Sequence, residues 1–399
     1  MKIVWLHEKM GAFGGAEANV VASAQALRDR GFRNVLVCRG RTGVDEEPWV
    51  SAFEEIHEGA DPVDVVRSAA PDAVWIHNWP ESADFPRLAA CGVPLARMVH
   101  DHSMYCMRHY KYNPLTRRNC TRPASAACIF PCLAFLQRGH GAVPVKFASL
   151  RRKLAEIADN RQLDCLVVAS EFMRGELIKN GFDAAKVRIL APMPPEAPAA
   201  GAPPGEVPFV PGRILFTGQI IRGKGLDLLI RAVHGLGGDW HLSVAGAGSA
   251  LGKCRALIER LGLGPRVTIH GYLGARQLSE QYGEAQVVAV PSAWQEPYGM
   301  VGVEAMRHAR PVVGFGTGGI PEWLRDGGNG LLVPPGDIGA LRAALDRLLG
   351  DPAECRRMGA RGLELAATDF SFSNYAGKLA HMLADVAAMK RPEAIPQGA

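Results

Sequence analysis

No apolar run in this 399-residue chain approaches the roughly 20 residues that a bilayer crossing requires, so no membrane-spanning helix is expected. The opening MKIVWLHEKM lacks both the apolar core and the small-residue cleavage site of a secretory leader, which predicts a cytoplasmic protein. There is no internal repeat, so a solenoid or propeller is excluded. No Cys-x-x-Cys pair occurs, and nine cysteines without a leader do not read as a disulfide framework. Five of them (Cys38, Cys91, Cys165, Cys254, Cys355) are scattered and read as ordinary buried thiols. Nothing resembles a nucleic-acid-binding motif, and a pI near 8.7 lies below the usual footprint of such proteins.

What is present is an ordinary globular composition, 48% hydrophobic and 21% charged. The length suits two domains of roughly 150–200 residues. Short β-branched runs alternate with helical patterns: Lys2–His7, Asn34–Cys38, Ala73–His77, Leu95–His100, Cys165–Ser170 and Val187–Leu190, then Arg213–Gly218, His241–Gly246, Val267–Gly271, Val287–Pro291, Pro311–Phe315 and Gly330–Val333. Alternation of this kind predicts an α/β fold of two Rossmann-like, doubly wound parallel sheets facing a cleft, with ligands at the strand C-termini. The expected division is an N-terminal domain over 1–195 with an insertion at about 101–135, a Pro/Ala/Gly-rich linker over 196–212, and a second domain over 213–368. A last helix over 369–390 is expected to cross back to the first domain.

The net charge is only +5, yet Arg97 to Arg161 holds 12 Lys/Arg against 3 Asp/Glu, a local excess of +9 that leaves about −4 elsewhere. Such a face either is simply solvated or attracts an anionic partner such as an acidic membrane surface.

The most informative stretch is PSAWQEPYGMVGVEAMRHARPVV, residues 291–313, with Glu296 and Glu304 eight positions apart. A strand ends before it and a helix is expected to begin near Met300. A helix start offers unpaired N–H groups and partial positive charge, so the amides of Met300 and Val301 are candidates for a phosphate, with Gly299 keeping the approach open. Glu304, a turn inside the helix, cannot sit against that phosphate but can accept two hydrogen bonds from a ribose diol. Glu296, in the preceding loop, then falls beside whatever hangs from the diphosphate. Taken alone, such a pair reads equally well as capping and solvating a surface helix.

The stretch does not stand alone. PSAWQEPYGMVGVEAM…PVVGFGTGGIPEWLRDGGNGLLVPPGD, LFTGQIIRGKGLDLLIRA upstream and GAFGGAE near the N-terminus together resemble the signature of family 4 of the retaining GT-B glycosyltransferases. The resemblance implies that Lys224 neutralises the donor diphosphate, beside Gly218. The family's arginine is Gln219 here, which loses a charge and a bidentate fork; Arg222 is a candidate to compensate. Gly14 and Gly15 would bring backbone amides to the diphosphate, and Gly246, Gly271 and Tyr272 would line the nucleotide pocket. The glycines of HLSVAGAGSALG mimic a dinucleotide fingerprint, but no acidic residue follows at the spacing a dehydrogenase uses.

By the same resemblance His100 lies close to the donor sugar, and His77 and Asn78 form an acceptor-side pair. A strand-end histidine is otherwise more often structural. Cys106, Cys120, Cys128 and Cys132, separated by 13, 7 and 3 residues, resemble a stretch found in a subset of these enzymes. They are candidates for a structural zinc, in second place for an iron–sulfur cluster, with disulfides or packed or free thiols as the alternatives.

The function implied is transfer of a sugar from a nucleotide-sugar to a hydroxyl of a carbohydrate or lipid-linked acceptor, in polysaccharide, lipopolysaccharide or glycolipid biosynthesis. The peripheral inner face of the cytoplasmic membrane is one expected place of work. The family retains anomeric configuration. No Asp-x-Asp occurs, so no metal is expected at the diphosphate and no cofactor for catalysis. His100, Glu296 and Lys224 carry the catalytic expectation. The rivals are a catalytically silent homologue acting as a binding partner, and a GT-B sugar-nucleotide epimerase or phosphorylase.

Overall fold

The computed structural model describes residues 1–11, 15–113, 116–138, 145–195 and 207–389. The chain divides into two compact units: the first holds Met1–Lys111, Thr121–Pro195 and Phe372–Ala399, the second Tyr112–Cys120 and Glu196–Ser371.

The first unit is built on a seven-stranded sheet in the order Val187–Ile189, Cys165–Val168, Leu95–Val99, Ala73–Ile76, Lys2–Met10, Arg33–Arg41 and Glu55–Glu58. Every pairing is parallel. Strands covered on both faces must be apolar at every position rather than at alternate ones, and Ile3, Val4, Trp5 and Leu6 are all fully buried. Six of these strands follow the sequence pattern. Glu55–Glu58, EIHE, does not. It is an edge strand, where charge is tolerated and even protective, so it carries no apolar signal.

Helices start where side chains can take the orphan amides: Asp61, Ser149 and Ser170 accept from Val63, Arg152 and Met173. The helix Phe372–Ala387 belongs to this unit. Its Tyr375 hydroxyl lies 2.9 Å from Ser23 Oγ in the core, and Asp385 pairs with Arg188 at 2.9 Å.

The insertion has more structure than its composition suggests. Lys111 is buried, ion-paired with the equally buried Glu176 at 2.8 Å, and its ammonium also donates to the carbonyl of Arg122. That side chain therefore ties together the two ends of the excursion from 112 to 121. Within the excursion, Tyr112–Asn113 and Arg118–Asn119 form a short antiparallel pair grouped with the second unit. There Asn119 donates to the carbonyl of Ala293 at 3.0 Å and Arg117 pairs with Asp227. A second short pair joins Leu136–Arg138 to Val145–Phe147.

The second unit carries a six-stranded, wholly parallel sheet in the order Val267–Gly271, His241–Ala245, Arg213–Thr217, Val287–Val290, Val312–Phe315 and Gly330–Val333. Leu229, Leu242, Val287, Val313 and Leu345 form the centre of its core. The first two loops to leave this sheet on either side of the order reversal follow Thr217 and Val290, where a doubly wound sheet opens to ligands. No helix among the described residues is long and apolar enough to cross a membrane.

Removing the Tyr375 hydroxyl strands Ser23 in the core. Tyr375→Phe is expected to lower the stability of the first unit by about 1 kcal/mol, read as a shifted urea midpoint with an unchanged m-value.

Candidate active site

Two loops of the second unit are fastened to each other by their backbones. The amides of Ala293 and Trp294 donate to the carbonyl of Gly223 at 2.8 and 3.1 Å. Gly225, at φ +74°, sits so close that a Cβ would stand 1.9 Å from the carbonyl oxygen of Pro291. Only glycine fits here, for the close approach and the left-handed backbone alike. The clamp brings the Lys224 ammonium to 2.7 Å from Glu296 Oε1 and to 5.0 Å from the centroid of the Trp294 ring.

Glu296 is buried, and the same oxygen accepts from Ser292 Oγ at 2.5 Å and Trp294 Nε1 at 2.7 Å. Three donors on one carboxylate oxygen hold the side chain in one place. Thr317 and Gly318 brace the loop from the other side: Thr317 donates to the carbonyl of Ser292 at 2.8 Å, and a Cβ on Gly318 would lie 2.1 Å from the carbonyl oxygen of Glu296. The first glycine of the Gly-Gly in the sequence signature thus lets one backbone lie on another.

The helix Met300–Arg307 begins as the sequence predicts, and Gly299 before it has φ +93°. Met300 and Val301 are half-buried in its first turn. Trp323 fixes this start by donating to the carbonyl of Tyr298 at 2.6 Å. Glu304 accepts a hydrogen bond from the Tyr282 hydroxyl at 2.8 Å, and burial raises its carboxyl above the usual range. The Tyr282 ring stacks on His308, 4.9 Å between centroids.

Gly218, Gly246 and Gly271 come together: the amide of Gly246 donates to the carbonyl of Gly271 at 2.6 Å, and a Cβ on Gly246 would lie 1.9 Å from the carbonyl oxygen of Gly218. Three strand ends are thereby drawn into one turn of bare backbone. Gln219 is exposed, Arg222 likewise, and Tyr272 stands 81% exposed at the rim.

In the first unit, His77 is buried and His100 half-buried, and His77 Nδ1 lies 2.8 Å from His100 Nε2. Trp5 stacks on the His77 ring at 5.3 Å, and His7 approaches it edge-on at 6.2 Å. Burial holds all three imidazoles neutral, His7 at about 3 and His100 at about 4, with His77 also well below its ordinary value. His7 Nε2 is 3.7 Å from Glu17, which hydrogen-bonds Asn78, an exposed residue. Gly15 opens the helix Gly15–Arg28 and is exposed, while Gly14 lies outside the described residues.

The four clustered cysteines are all half-buried; Cys120 groups with the second unit and the other three with the first. Arg108 donates to the sulfur of Cys132 at 3.4 Å. Among the described residues no group of three or more His, Cys, Asp and Glu is placed to hold a metal ion.

Sequence reading missed Ser292, Trp294, Tyr282 and His7. Ser292 and Trp294 stand four and two residues before Glu296 and were available as its donors. Tyr282 and His7 carry no local signal, since their partners are brought by the fold.

Residues 210–364 match the family model of glycosyl transferases group 1. The chain is 31% identical over 176 residues to the alpha-D-kanosaminyltransferase of Streptomyces kanamyceticus, covering 43% of this chain and 45% of that protein. It is 33% identical over 239 residues to the D-inositol 3-phosphate glycosyltransferase of Nocardia farcinica, covering 57% and 51%. The matched part thus spans about half the length of these relatives. Among solved structures it is similar to HepE of Anabaena in complex with UDP-glucose, with a TM-score of 0.70 at 19% identity over 96% of this chain and 100% of that one. The fold, two Rossmann-like units on parallel sheets, is GT-B.

Two outcomes follow from this geometry. Gly225→Ala is expected to cost at least about 2 kcal/mol, since a side chain there meets backbone in a left-handed conformation; urea denaturation measures it. The depressed histidines make the unfolded chain bind more protons than the folded one between pH 6.5 and about 4. Stability is therefore full above pH 6.5 and falls as pH drops through that window. The urea midpoint of the first unit should be lower at pH 5 than at pH 7, and His100→Gln should flatten the difference.

Proposed function

We propose that this chain is a glycosyltransferase that moves a sugar, a hexose in the first instance, from a nucleotide-sugar to an acceptor hydroxyl with retention of configuration. The observation that carries the proposal is the pairing of Lys224 with Glu296 at 2.7 Å, next to the start of the helix that holds Glu304. An ammonium whose only anionic partner among the described residues is one carboxylate can turn to an arriving diphosphate. The carboxylate, held in place by Ser292 and Trp294, is then free to accept from sugar hydroxyls.

On this reading the diphosphate takes Lys224 and the amides of Met300 and Val301, and the ribose diol takes Glu304, oriented by Tyr282. Gly218, Gly246 and Gly271 offer backbone without side chains around the nucleotide, and Tyr272 lies toward the base. The charge of the leaving group is met without a divalent ion, in keeping with the lack of Asp-x-Asp. As the bond to the anomeric carbon breaks, an oxocarbenium-like centre forms. The acceptor oxygen attacks on the same face, and the departing phosphate oxygen takes the acceptor's proton. His100, neutral and held by the buried His77, positions sugar rather than carrying charge, and the exposed Asn78 serves the acceptor side. The acceptor is a carbohydrate or lipid-linked saccharide, which places the enzyme in polysaccharide, lipopolysaccharide or glycolipid synthesis. The solved complex of HepE with UDP-glucose makes UDP the first nucleotide to try.

A second reading, a silent homologue that supports another transferase, is favoured by Gln219 standing exposed where the resembled family has arginine. The two readings separate in one measurement: release of free nucleotide from a panel of UDP-, GDP-, ADP- and TDP-sugars. The enzyme releases one of them, and Lys224→Ala lowers that rate about 10²–10³-fold. No turnover of any donor, or an unchanged rate in Lys224→Ala, overturns the proposal.

A further inference from the structure

The short antiparallel pair Leu136–Arg138 and Val145–Phe147 is turned inside out. A two-stranded ribbon on a water-facing surface should point its apolar side chains at the protein and its polar ones outward. Gln137 instead points inward, with its amide donating to the carbonyl of Met107 at 2.5 Å. Leu136 and Phe147, paired directly across the ribbon, are on the other face, 39% and 74% exposed. The preceding turns extend this apolar face. Ile129, Phe130 and Leu133 are 37%, 78% and 40% exposed, and backbone hydrogen bonds from Leu133 to Ile129 and from Leu136 to Leu133 hold them next to it.

The charge around this face is of one sign. Arg151 and Arg152 follow Phe147 within five residues, both exposed and without an acidic partner among the described residues, whereas Lys146, paired with Gln137, lies on the other side of the ribbon. They belong to the stretch with the local excess of +9. A covering protein surface would need apolar area matched by acidic groups. A bilayer with anionic headgroups supplies both, taking the aromatic rings into its interface while its phosphates meet the cations.

We propose that the face formed by Ile129, Phe130, Leu133, Leu136 and Phe147, with Arg151 and Arg152 close after it in the chain, docks this chain on an anionic lipid bilayer. The inference builds on the proposed transfer to a lipid-linked acceptor, and it names the surface on which the first unit would meet such an acceptor. The apolar wedge and the two arginines belong to one stretch of chain, so binding needs both.

The test is flotation of the full chain with vesicles of phosphatidylcholine alone and of phosphatidylcholine mixed with phosphatidylglycerol. Binding is expected only to the mixed vesicles, falling as salt is raised. The double variants Phe130→Ser/Phe147→Ser and Arg151→Glu/Arg152→Glu should each lower the partition about 100-fold. All substituted positions are exposed, so an unchanged thermal melt confirms that the variants fold. Nucleotide release from a soluble sugar donor should be unchanged in both, so a failure of the transferase reading shows in that assay and a failure of this one in flotation. Equal binding to both vesicle types, no binding to either, or binding untouched by the variants overturns the proposal. So does a concentration-dependent dimer that Phe130→Ser/Phe147→Ser abolishes, which would make the face a protein interface.

Discussion

Backbone laid on backbone, where loops meet with no side chain between them, is the constraint on which the candidate site depends. Gly225 against Pro291, Gly318 against Glu296 and Gly246 against Gly218 are three such approaches. Each forbids a Cβ, and each binds the loop after one strand to the loop after another. The result is a frame of main chain in which one lysine, two carboxylates and a helix start are held at fixed distances. Electrostatic work on a diphosphate calls for such a frame, because a cation on a loose loop would reorganise instead of stabilising the developing charge.

The frame also explains which side chains surround the charges. Glu296 is buried, and a buried carboxylate needs compensation; Lys224, Ser292 and Trp294 supply it on one oxygen. Glu304 is compensated by one tyrosine hydroxyl and keeps a raised affinity for its proton. The two carboxylates of one motif thus have different environments, the first ion-paired and the second held by a neutral donor. In the first unit the imidazoles of His7, His77 and His100 are kept neutral by burial among Trp5, Trp49 and Trp75, a setting suited to hydrogen bonding rather than to charge.

Much of the fold was legible because parallel strands covered on both faces must be written as unbroken apolar runs. Twelve expected β-branched runs are strands of the two sheets, with ends differing by a few residues; the edge strands Val267–Gly271 and Val187–Ile189 are among those interrupted by polar residues. Glu55–Glu58 escaped because an edge position removes the need for apolar residues. The two short pairs of the insertion escaped because strands of two or three residues show no period. At the site, Glu296, Glu304, Lys224 and Gly299 were legible as a spaced motif, while the metal expectation for Cys106, Cys120, Cys128 and Cys132 rested on spacing without a ligand geometry.

The sequence by itself determined two Rossmann-like sheets, the helix start at Met300 and the charged residues near it, because local period and local spacing write these directly. Only the tertiary structure decided that Lys224 meets Glu296 across 72 positions, that Tyr282 holds Glu304, and that His77 holds His100. Those contacts join the ends of different strands, and strand order in a sheet is settled by the packing of the whole domain, which no short stretch of sequence contains.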